Sequence, residues 1–228
     1  MNAGWPSAAA TVISLLFATT ACNSDTSFDR DLIEDATVRV RADGCGPRTE
    51  LGTGTAIADG LVVTAAHVVA GSERVEVVNR SGATIDAEVV VFDPDLDIAA
   101  LRPVSDAGPP VSLRSQPARE GDVGVIGLIS ADGSVGLVEV DVMQRVTIRT
   151  TDITLRNDVE RPGLRVDVAV EPGDSGAMVH LPGGGVGIIW SRSTATAEQA
   201  WTVDLPPELL DASTRRALID PVDVGPCL

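Results

Sequence analysis

The chain has 228 residues, a formal net charge of −16 and 44% hydrophobic residues. Such a composition can bury a sizeable core, which excludes wholesale disorder. The acidity argues against nucleic acid or an anionic membrane surface as an electrostatic partner, because both need clustered basic residues. Lysine is absent altogether, which removes a P-loop lysine, a Schiff-base lysine and a Ser–Lys dyad. The histidines are His67 and His180, and the cysteines are Cys22, Cys45 and Cys227. Without an H-E-x-x-H or C-x-x-C pattern, no metal and no cofactor is expected.

In chain order, residues 8–18, "AAATVISLLFA", form an apolar run too short for a spanning helix. It reads as the core of a secretory signal over residues 1–22. The run ends in "TTAC", which resembles a bacterial lipobox and makes Cys22 a candidate lipid anchor. Thr19 and a leader without Lys or Arg depart from that pattern, so a plain cleaved leader is the alternative. Export to the periplasm or cell surface is expected in either case. Residues 23–35, "NSDTSFDRDLIED", are polar and acidic and read as a tether. Outside the cytosol Cys45 and Cys227 are expected to pair rather than stay as separate thiols. Such a bridge would close nearly the whole domain, worth up to about 5 kcal/mol by loop entropy.

From residue 36 onward, short Val-, Ile- and Thr-rich runs alternate with Gly, Asp, Asn and Pro turns. "ATVRVRA", "RVEVVN", "TIDAEVVVF", "VSLRS", "DVGVIGLI", "GLRVDVAV" and "GVGIIW" are examples. Period-two alternation predicts half-buried antiparallel strands, hence an all-β sandwich or barrel. About twelve strands are too many for one small barrel. The stretch "VSDAGPP", residues 104–110, divides them about evenly, giving units over 36–107 and 108–206. Only residues 207–228 look helical, with Ser213 as a candidate N-cap.

Chemistry concentrates at three places. "TAAHVV" sets His67 just after an apolar strand, "DLDIAAL" sets Asp97 at the start of another, and "EPGDSGAM" sets Ser175 between glycines. A serine hydroxyl becomes nucleophilic when an imidazole takes its proton, and a carboxylate fixes the imidazole's tautomer. His180 sits in the strand after Ser175 and reads as structural or exposed.

In this order and in an all-β chain, "TAAHVV", "DIAAL" and "GDSG" resemble the motif blocks of chymotrypsin-like (trypsin-fold) serine proteases. The nearer likeness is to bacterial Deg-type and actinobacterial periplasmic peptidases, without a PDZ domain. The resemblance implies two six-stranded antiparallel Greek-key barrels with the site between them. It implies Ser175 as nucleophile, His67 as general base and Asp97 as its orienter. It also implies an oxyanion hole from the N–H groups of Gly173 and Ser175, and a specificity pocket based at Ala169 with Trp190 at its mouth. The substrate would be a protein or peptide, cut by a monomeric exported serine endopeptidase. Ala177 and Met178 depart from the usual continuation of GDSG, so a pseudo-protease that binds extended peptides without cutting them is the alternative. Asp174 has no freshly cut N-terminus to pair with and needs another partner.

Overall fold

The computed structural model describes Met1, residues 28–44 and residues 46–228. The leader, the tether's first residues, Cys22 and Cys45 lie outside the described residues.

Twelve strands form two closed antiparallel barrels. The first contains β1 (Thr37–Gly44), β2 (Gly46–Ile57), β3 (Leu61–Thr64), β4 (Arg74–Val78), β5 (Thr84–Asp93) and β6 (Ile98–Pro103). Their spatial order is β1-β2-β3-β6-β5-β4, closed by pairing of β1 with β4. The second contains β7 (Val123–Ile129), β8 (Val135–Thr151), β9 (Asp158–Asp167), β10 (Met178–Leu181), β11 (Gly184–Arg192) and β12 (Gln199–Asp204). Its order is β10-β11-β12-β9-β8-β7, closed by β7 against β10. Closure pairs the first and last strands of each barrel and so removes most of the free edge that antiparallel sheets must otherwise protect.

Strands at the first barrel's centre are continuously apolar because both faces are covered. All four residues of β3 are buried, and so are the first four of β6. Val62 faces Leu101 and Val63 faces Ala100 across that ladder. Each fully buried Val or Leu contributes about 1.5–3 kcal/mol. The second barrel's core gathers Ile126, Val140, Val142, Leu164, Val166 and Ile189, among others. By contrast β8 is largely exposed and reads as a long alternating strand.

Three expectations change. The tether gives way at its end to helix α1 (Arg30–Ala36), capped by the Asp29 carboxylate and holding Ile33 and Ala36 in the core. "VSLRS" makes only isolated bridges, at Val111 and Leu113. Pro110 before it and Pro117 after it cannot donate to a ladder. In the tail, helices α3 (Pro207–Leu210) and α4 (Ala212–Ala217) form, but Asp211 rather than Ser213 caps α4. An aspartate two residues earlier offers a charged acceptor to the Thr214 N–H. Of the two readings of His180, structural or exposed, the structure gives a buried side chain, at 3%.

Candidate active site

The first barrel carries two of the candidate side chains. Strand β3 ends at Thr64 and runs into a one-turn helix, α2 (Ala66–Val69), which presents His67. Between β5 and β6 the chain makes an acidic turn. The Asp93 carboxylate accepts from the N–H groups of Asp95 and Leu96, building the turn from its own residues. Asp97 closes it with φ 62, a left-handed conformation that Asp tolerates better than most side chains.

This turn aims the Asp97 carboxylate at His67. Oδ2 lies 2.8 Å and Oδ1 3.0 Å from the ring Nδ1. Oδ1 also accepts the backbone N–H of His67 at 2.9 Å. The Ala66 N–H donates to the Asp97 carbonyl at 3.2 Å, so backbone and side chain lock the two segments together. Asp97 is 2% exposed, and its negative charge is spent on these partners rather than on water.

The second barrel supplies the serine turn. The Asp174 N–H donates to the Glu171 carbonyl at 3.0 Å, closing a β-turn over Glu171–Asp174. Pro172 and then Gly173, with φ +106, are the residues that a type II turn demands at its centre. Asp174 finds its partner locally, its carboxylate accepting the Glu171 N–H at 2.7 Å. Burial pushes the Asp174 carboxyl above its ordinary pKa, and that hydrogen bond opposes the push. Gly176 follows with φ +91. A Cβ there would meet the Thr53 carbonyl oxygen at 2.1 Å and Thr64 Oγ1 at 2.5 Å. Only glycine lets the turn come so close to the strand end that carries His67.

Three contacts hold the turn in place. The Thr53 N–H donates to the Ser175 carbonyl, and Thr53 Oγ1 donates to the Gly173 carbonyl, each at 2.8 Å. Thr64 Oγ1 in turn donates to the Thr53 carbonyl at 2.8 Å. On the far side the Gly176 N–H donates to the Ile189 carbonyl at 2.7 Å. Among the described residues, the N–H groups of Gly173 and Ser175 meet no protein acceptor. The Ser175 hydroxyl makes no hydrogen bond either, to His67 or to another group among the described residues.

Ala169 is exposed. Its neighbours Val168 and Val170 are the inward pair. Trp190 sits at a register shift between Ile189 and Ser191, so it pairs with no residue of β12. A bulge of this kind re-aims a side chain. Trp190 packs against a core cluster that draws on both barrels, and under the Arg161 guanidinium, 4.4 Å from its ring centroid. Sequence reasoning missed Thr53 and Arg161. Thr53 carries no motif. Arg161 carries no sequence signal either, because it falls on the parity opposite to the buried Leu164 and Val166 of β9.

A trypsin-like peptidase domain profile matches residues 52–186. The chain belongs to the trypsin-like peptidase family. Over 203 residues it is 30% identical to the serine protease Rv3671c of Mycobacterium tuberculosis (strain ATCC 25618 / H37Rv), covering 86% of this chain and 49% of that one. It is 34% identical over 151 residues to a probable periplasmic serine endoprotease DegP-like of Halomonas elongata, covering 64% and 31%. The chain thus spans half or less of the length of these curated relatives. Among solved structures, the active form of the M. tuberculosis Rv3671c protease superposes with a TM-score of 0.76 at 28% identity, covering 86% of this chain and 87% of that one. An inactive form of the same protease gives 0.64 at 28% identity, covering 79% and 87%.

Proposed function

We propose that this trypsin-like chain is a serine endopeptidase working through Ser175, His67 and Asp97. The carrying observation is the Asp97 carboxylate, which accepts both the His67 ring and its backbone N–H. That arrangement puts the proton on Nδ1 and leaves Nε2 free to act as base. Ser175 Oγ attacks the scissile carbonyl as its proton passes to His67. The imidazolium faces the buried Asp97 charge and then protonates the leaving amine. Water repeats the cycle on the acyl-enzyme and releases the acid. The unpartnered N–H groups of Gly173 and Ser175 are the donors for the oxyanion.

Competence at rest is supported by the positive φ of Gly173 and by the greater likeness to the active form of the mycobacterial relative. A bare hydroxyl at Ser175 is compatible with this, because such bonds tighten when substrate is bound. The same bare hydroxyl favours the second reading, a cleft that binds extended peptide without cutting it. In both readings the substrate is an extended peptide pairing with β11 beyond Ile189, where β10 no longer covers that strand.

Export belongs to the same proposal, supported by the apolar leader and by the description of the Halomonas relative as periplasmic. Lipidation at Cys22 and a Cys45–Cys227 bridge complete it. The assignment of Cys227 as a disulfide cysteine supports that bridge. The Gly71 N–H donates to the Val224 carbonyl, and the Glu73 N–H donates to the Asp43 carbonyl. These contacts lead the tail toward the β1–β2 turn. Hydrolysis of a peptide library by the wild type, lost in Ser175→Ala and His67→Ala, supports the endopeptidase. Tight peptide binding without hydrolysis would leave the second reading.

A further inference from the structure

Arg161 is 2% exposed and reaches out of its own barrel. It lies on β9 of the second barrel, yet most of its partners are in the acidic turn of the first. Its Nε donates to the Asp95 carbonyl at 2.7 Å, and Nη2 approaches the Pro94 carbonyl at 3.5 Å and the Thr151 carbonyl at 3.4 Å. Its Nη1 stands 3.8 Å from Asp97 Oδ2, the oxygen that faces the His67 ring. The Trp190 ring covers its face. The Ile153 N–H, from the β8–β9 turn, donates to the same Pro94 carbonyl at 3.1 Å. A planar, forked cation thus holds the turn that presents Asp97, with a π-face beneath it.

We propose that Arg161 is a positioning residue for the reaction: it clamps the Asp93–Asp97 turn from the opposite barrel and sets the charge felt by the Asp97–His67 pair. This rests on the endopeptidase reading above. Burial pushes the guanidinium's pKa down, and the carboxylates of Asp97, Asp152, Asp93 and Asp95 push it back up. Arg161 therefore stays charged and is the cation among four acids. Without it, Asp97 and its acidic neighbours stabilise the His67 imidazolium more strongly, and the imidazole becomes a base that protonates too early. The device also ties the two barrels together where the reaction needs them in register, since Asp97 comes from one and Ser175 from the other.

The test is the pH profile of kcat/KM for the full chain on a peptide substrate, in wild type, Arg161→Gln and Arg161→Lys. Gln keeps a donor for the Asp95 carbonyl and drops the charge; Lys keeps the charge and loses the fork. The acid limb should move up by about half a pH unit or more in the Gln variant. It should stay at the wild-type position in the Lys variant, whose kcat falls several-fold with KM little changed. A limb that stays put in Gln, or one that rises in Lys, overturns the inference. The Lys variant decides alone if Gln does not fold. Wild type that is folded yet hydrolyses nothing overturns the endopeptidase reading itself and this inference with it. An active wild type with Gln and Lys alike in both limb and kcat overturns only the role of Arg161.

Discussion

Thr53→Val is the substitution that isolates how the serine turn is held. Thr53 is fully buried, and its hydroxyl donates to the Gly173 carbonyl across the barrel seam. Valine keeps the shape and loses the donor. A buried acceptor left without its partner costs about 1–3 kcal/mol. Gly173 is half-buried, so water reaches its carbonyl in part and the lower portion of that range, about 1–2 kcal/mol, applies. The Thr53 N–H still binds the Ser175 carbonyl, so the turn loosens rather than detaches. If the hydroxyl serves to hold the Gly173 N–H toward the oxyanion, that energy bounds the loss in kcat/KM at roughly 5- to 30-fold. Thr53→Ser restores the donor and most of the activity. Urea unfolding and peptide kinetics on the three proteins decide it. Wild-type kcat/KM in the valine variant, or equal impairment in the serine variant, would refute the reasoning.

Further outcomes follow from the same contacts. Gly176→Ala forces a Cβ against the Thr53 carbonyl at a φ of +91, and should destabilise the protein by more than about 2 kcal/mol in urea unfolding. Asp97→Asn presents an NH2 group to His67 Nδ1 while its oxygen keeps the backbone N–H, which reverses the ring tautomer. Hydrolysis should drop by about three to four powers of ten with folding intact, as read by circular dichroism. Burial lowers the pKa of His180 from 6.5 to about 4. The unfolded chain therefore takes up a proton below pH 6.5 that the folded chain refuses. Stability from this residue is complete above pH 6.5 and falls as pH drops toward 4, by up to about 3 kcal/mol. His180→Leu should flatten the decline in urea midpoint between pH 7 and pH 5, and an identical decline in both proteins would contradict it.

Much of the architecture is legible in the chain because its signals are local. Alternation in "ATVRVRA" and "TIDAEVVVF" reports strands with one covered face, and glycine, proline and acidic pairs mark the turns between them. The three chemical segments are legible for the same reason, since each needs its glycine, alanine or aspartate neighbours within a few residues. What escapes is decided by distant partners. Thr53 gains its role only when β2 meets the serine turn, 120 residues away along the chain. Arg161 looks like one more surface arginine until the seam buries it against Asp95 and Trp190. Asp211 displaces Ser213 as cap because a charged acceptor stands two positions upstream, a contest that propensity alone leaves close.

The account's central claim is that folding makes the hydroxyl at position 175 uniquely reactive through His67. Mass spectrometry of the folded chain after treatment with a fluorophosphonate tests it most directly. The account predicts one adduct per molecule on the peptide bearing Ser175, absent from His67→Ala and from Ser175→Ala. An unmodified wild type, or an adduct on some other serine, would contradict it.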